Sequence, residues 1–150
     1  MELKYINPFI ESVHDLFTNM LGCRVERLNP KVVSDGSVSH EIVGLSGPTR
    51  GNVALLLPEA TAKAMVGRLL GEEIHEIDDD VIDAVAELVN IIAGGAKARL
   101  SEGEPPIKLS LPNVIRGRDC TVHYPTKAVW LELPFTSELG EMILRLRFKF

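Results

Sequence analysis

Between Asp79 and Leu100 apolar residues return at the spacing of an α-helix, and the two sides of that helix are chemically unlike. At about 100° per residue, Val81, Val85, Leu88, Val89, Ile92 and Ala96 fall on one stripe, while Asp83, Glu87, Asn90, Gly94 and Lys97 share the opposite side. A helix patterned in this way must bury one face against other elements and present the other to solvent or to a partner. It also carries Gly94-Gly95 in its interior. Each glycine there costs about 1 kcal/mol relative to Ala, so a close approach by another backbone is expected at that point, or else a neighbouring element of the same chain filling the space.

Glycine and proline punctuate the remainder. Asn7-Pro8 reads as a helix opening and Gly22 as its stop, which predicts a first helix from about Pro8 to Leu21. Asp35-Gly36 marks a turn, and Val38 to Leu45 and Asn52 to Leu57 read as strands of a hairpin joined through Gly47-Pro48. Pro58-Glu59 opens a second helix with apolar positions Ala62, Met65, Val66, Leu69 and Leu70, ending at Gly71. After the third helix, Ser101 to Pro106 is a polar connection. Lys108 to Leu111, Cys120 to His123, Ala128 to Leu133 and Met142 to Phe148 read as further strands. Glu11-Ser12-Val13-His14 echoes Glu87-Leu88-Val89-Asn90, and Gly51-Asn52-Val53-Ala54-Leu55 echoes Gly140-Glu141-Met142-Ile143-Leu144. The echo suggests a duplicated helix-hairpin unit with a longer connection in the second copy.

With 150 residues, 45% hydrophobic and 25% charged, nine Pro and twelve Gly, the chain is expected to form one globular domain over 1–150. No apolar run approaches the ~20 residues of a bilayer span and no secretory leader opens the chain, so a cytoplasmic protein without membrane insertion is expected. A net charge of −5 with 5% aromatic residues disfavours nucleic acid as a partner. Cys23 and Cys120 lack ligand spacing and read as reduced core residues, and His14, His40, His75 and His123 are scattered, so no metal site is expected.

Familiar enzyme motifs are missing: there is no GxSxG, Walker A, HExxH or GxGxxG. The polar face of the third helix remains. Glu87 and Asn90, three apart, project side by side, and Gly94 lies one turn on without a side chain, leaving a bare patch for a partner's approach. A carboxamide is no base at neutral pH, yet it donates and accepts hydrogen bonds at once, which suits it to fixing an attacking water. Phosphoryl transfer is the chemistry in which such positioning counts most. Taken alone, two polar residues on a solvated helix also read as ordinary surface.

Glu87-Leu88-Val89-Asn90 with Ile91-Ile92-Ala93-Gly94-Gly95-Ala96-Lys97 resembles the ExxN helix of the CheC/CheX/FliY family of CheY phosphatases. Asn52 to Pro58 leading into a helix that ends Leu69-Leu70-Gly71, and Pro134 to Glu141 before the last strand, look CheX-like in particular. The resemblance covers nearly the whole chain. It implies an α+β fold, two-layer, with a largely antiparallel sheet and about three helices on one face, and it implies a homodimer. It also implies that Asn90 orients the hydrolytic water at the aspartyl phosphate of a phosphorylated CheY-like receiver domain, while Glu87 pairs with the receiver's lysine. The receiver would contribute Mg²⁺, with no cofactor bound by this chain. His14 stands where a second ExxN site would need Asn, so one site per chain is expected. The alternatives are a non-catalytic module that binds a receiver, flagellar-switch or chemoreceptor component, and an ExxN face buried in the protein's own dimer.

Overall fold

The computed structural model describes residues 3–33, 40–46, 51–99, 113–120 and 130–148. Three helices, α1 (Leu3–Asp15), α2 (Glu59–Leu70) and α3 (Asp79–Arg99), pack on one face of a sheet of seven strands. These are β1 (Val25–Arg27), β2 (Lys31–Val33), β3 (His40–Ser46), β4 (Gly51–Leu57), β5 (Asn113–Cys120), β6 (Trp130–Ser137) and β7 (Gly140–Phe148). The strands run in the order β1-β6-β7-β4-β3-β5, with β2 beside β1 along β6, and every pairing is antiparallel. The α+β architecture expected from the sequence is therefore present.

The strand order reads as a palindrome of two units. One is α1 with β1/β2, β3 and β4, the other α3 with β5, β6 and β7, and each unit lends its first strand to the other's hairpin. A constant shift in numbering carries the pair Ile42 and Leu57 onto the pair Leu131 and Leu146. The same shift carries Gly51 onto Gly140 and Leu55 onto Leu144. Leu55 and Leu144 are paired with each other at the junction of β4 and β7, so the pseudo-twofold axis passes between them. The duplication suspected from two short echoes is thus expressed in the register of the whole sheet.

One core joins the layers. Alternate residues Val53, Leu55 and Leu57 of β4, Leu133 and Phe135 of β6, and Met142, Leu144 and Leu146 of β7 face the helices. They meet Phe9, Val13 and Phe17 from the first helical segment, Met65 and Val66 from α2, and the apolar stripe of α3. Ala54, Leu56 and Glu132, which point to the opposite face, are buried as well.

Several boundaries differ from expectation. The first helix begins at Leu3, with Pro8 inside it, because buried Ile6 and Phe9 extend its apolar face one turn earlier; from Leu16 to Leu21 it widens into a π-helix. Gly22, at φ 67°, ends that π-helix as foreseen, its N–H donating to the carbonyl of Phe17. Leu70, read as part of the apolar face of α2, is exposed. The short β1 and β2 carry too few residues to show alternation, and β5 was expected only from Cys120 onward. β6 runs on through Pro134 to Ser137, beyond the expected end at Leu133. Val38, the two loop turns Asp35-Gly36 and Gly47-Pro48, the connection from Ser101 to Pro106, and the segments 108–111, 121–123 and 128–129 lie outside the described residues.

Candidate functional site

Helix α3 is capped at its first turn and carries charges that complement its dipole at both ends. Asp78 Oδ1 accepts the N–H of Val81 at 3.0 Å, capping the first turn. Asp79 and Asp80 stand at the positive end of the helix dipole, and Lys97 and Arg99 at the negative end. Val81, Ala84, Val85, Leu88, Val89, Ile92, Ala93 and Ala96 are all buried, so the predicted stripe is the one that faces the core. Asp83, Glu87 and Lys97 are exposed, while Asn90 and Gly94 are half-buried on the outer face. Ile91, at the border, packs against the core.

Glu87 and Asn90 therefore project together into solvent in the single chain. Among the described residues neither is engaged by a hydrogen bond or an ion pair. Among the described residues, a Cβ added at Gly94 would meet nothing within 4 Å, so the helix surface is open at that position. The arrangement offers a carboxylate, a carboxamide able to donate and accept simultaneously, and space for a second molecule to come close. No group of three His, Cys, Asp or Glu side chains among the described residues is placed to hold a metal ion.

Of the two readings of the Gly-Gly pair, a neighbouring element of the same chain is the one seen, and at Gly95 alone. Only Gly95 is a close approach, and what approaches is a side chain of the same chain: its Cβ would lie 2.4 Å from Ser12 Oγ, on α1. Ser12 is buried and donates to the carbonyl of Ile92 at 2.7 Å, with the carbonyl of Ile91 at 3.4 Å. Sequence reasoning passed over Ser12. The available signal was a hydroxyl interrupting the apolar stripe of Phe9, Val13 and Leu16 opposite a helix with a glycine to spare.

On α1 the equivalent residues keep the burial of the α3 site but lose its chemistry. Ser12 and Val13 are buried as Leu88 and Val89 are, and Glu11 and His14 are exposed. Glu11 lies 3.6 Å from Arg99, which also pairs with Asp15 and donates to the carbonyl of Gly95 at 2.9 Å. The carboxylate that would answer to Glu87 is thus drawn into a bridge between helices, and an imidazole replaces the carboxamide. Cys23, expected in the core, is only half-buried; burial raises the pKa of its free thiol, and the neighbouring Glu138 carboxylate raises it further against the opposing pull of Arg68.

The pseudo-symmetric sheet and the outward ExxN face define a protein of the CheC-like class. A CheC-like superfamily protein from Shewanella sp. PV-4 shares the fold with a TM-score of 0.88 and 27% identity, covering 100% of both chains. The family model for the chemotaxis phosphatase CheX matches residues 41–136, and this chain belongs to the CheX family. The CheY-P phosphatase CheX of Thermotoga maritima is 26% identical over 140 residues, 91% of this chain and 89% of that protein. The CheX-CheY-BeF3-Mg²⁺ complex from Borrelia burgdorferi contains the same fold, with a TM-score of 0.78 at 21% identity over 97% of this chain and 98% of that one.

Proposed function

We propose that this chain hydrolyses the aspartyl phosphate of a CheY-like receiver domain, with Asn90 orienting the attacking water and Glu87 pairing with a lysine of the receiver. The observation that carries this reading is the Glu87 carboxylate and Asn90 carboxamide standing together beside the open surface at Gly94, none of them engaged among the described residues. Membership of the CheX family supports the reaction class, and the name of the Thermotoga relative and the composition of the Borrelia complex support a CheY-like partner.

In the proposed reaction the water oxygen attacks phosphorus while the bond from phosphorus to the aspartyl oxygen breaks, giving the receiver's carboxylate and inorganic phosphate. The transition state is loose and needs little covalent help, so an amide that accepts from the water while donating elsewhere supplies what this chain has to give. Mg²⁺ and the phosphoryl group both come from the receiver. Glu87 fixes the approach through a charge-assisted hydrogen bond. Residues 1–150 act as one domain in the cytoplasm, pairing with a second copy, and sedimentation of the purified protein measures that pairing directly.

Phosphate release from a phosphorylated receiver with Mg²⁺ tests the proposal. The wild type accelerates release, Asn90→Ala loses about 100-fold in rate, the scale set by a misplaced reacting group, and Glu87→Ala weakens capture of the receiver. Binding of the phosphorylated receiver without faster release would instead identify a docking module.

A further inference from the structure

We propose that Ser12 is a positioning residue for Asn90, acting across the α1–α3 contact through the carbonyl of Ile92, with Gly95 as the seat that lets it reach. The hydroxyl is buried and bonded at 2.7 Å to a carbonyl two residues beyond Asn90, so it grips the turn of α3 that carries the carboxamide. The grip requires glycine: a Cβ at position 95 would stand 2.4 Å from Ser12 Oγ, closer than any real contact, whereas Ser12 Cβ, at 3.3 Å, needs to give by only a few tenths of an ångström. Arg99 closes over the same spot, donating to the Gly95 carbonyl and pairing with Asp15. Gly94, on the outer face, needs no such allowance, since nothing approaches it. The internal glycine pair therefore divides its work: Gly94 leaves room for a visitor, and Gly95 leaves room for the hydroxyl that sets the helix.

The magnitude of the effect follows from helix geometry. A side-chain group about 6 Å from the helix axis moves roughly 1 Å when the helix turns by about ten degrees. A displacement of that size is enough to cost about 100-fold in a reaction that depends on orientation. The other buried residues of α3 are apolar, and their non-directional packing resists such a rotation less sharply than a buried hydrogen bond does.

The test joins spectroscopy to kinetics, and only the kinetic arm rests on the phosphatase reading. In ¹⁵N-labelled protein the side-chain amide signals of Asn90 are identified by their loss in Asn90→Ala. Ser12→Ala shifts or broadens them while those of exposed Asn29 stay in place. With a phosphorylated receiver, well below the variants' melting temperatures, Ser12→Ala lowers kcat about tenfold with KM changed less than about twofold, and Gly95→Ala lowers it further. The double variant recovers to the level of Ser12→Ala, because the clash is gone. Unmoved Asn90 signals in Ser12→Ala, unchanged kcat in an active protein, or a double variant worse than Gly95→Ala would each overturn the assignment. If the wild type releases no phosphate, the phosphatase reading falls and the amide signals alone decide the role of Ser12. If Gly95→Ala does not fold, Ser12→Ala alone decides it.

Discussion

At the scale of single residues, Gly140 and Cys23 show chemistry that their neighbours impose. Gly140 opens β7 at φ 124°, and a Cβ there would lie 2.3 Å from Thr61 Oγ1, which is buried in α2. Gly140→Ala is expected to cost about 2–3 kcal/mol through backbone strain and overpacking, read as a lower urea midpoint with unchanged slope. Cys23 reacts with alkylating agents only as thiolate, and because burial and then Glu138 hold its pKa up, its modification near pH 8 lags behind that of an unstructured thiol. Removing the Glu138 charge lowers that pKa, so Glu138→Gln speeds alkylation of the Cys23 peptide. The half-burial of Cys23 was not legible in the sequence, since a lone cysteine between Gly22 and Arg24 carries no periodicity. Of Ser12 only the hydroxyl on an apolar stripe was legible; its partner, a backbone carbonyl eighty positions away, was not.

Among the elements, those with long periodic patterns were readable and those defined by their neighbours were not. Every residue of the predicted α3 stripe is buried, joined by Ala84 and Ala93, because the periodic pattern extends along the whole helix and fixes one phase. Strand β5 carries Arg116, Arg118 and Asp119, a charged composition that hides a strand, yet among the described strands it pairs only with β3 and ends the sheet, where charge is tolerated. Pro134 also argues against a central strand. Its carbonyl accepts from the N–H of Leu28, so its missing N–H faces the break between β1 and β2, and the ladder to β7 loses nothing. On the sheet face away from the helices, Arg145 Nε donates to Glu132 Oε1 at 2.9 Å, with the two side chains only 12% and 11% exposed. Glu132→Ala, which removes the carboxylate that Arg145 Nε donates to, is expected to cost about 1.5–3 kcal/mol in equilibrium unfolding. Leu144→Ala, at the pseudo-twofold axis, costs about 2–5 kcal/mol by opening a cavity in the centre of the core.

For the whole molecule, the duplication explains why two similar helices lie on one sheet and why only one of them displays a carboxamide. The sheet treats both units alike, since one register shift relates the hairpins, so the difference between Glu87/Asn90 and Glu11/His14 resides in the side chains and not in the scaffold. That asymmetry was visible in the sequence once the two tetrapeptides were aligned. The engagement of Glu11 by Arg99 was not, because it depends on how the helices cross. In the proposed reaction a single amide on α3 speeds the loss of phosphate from another protein's aspartate. Its most direct measurement is the rate of phosphate release from a phosphorylated CheY-like receiver in the presence of wild-type chain and of Asn90→Ala, with binding of the receiver measured for both. The account predicts that both bind and only the wild type accelerates release. Equal acceleration by the two, or none by either despite binding, would contradict it.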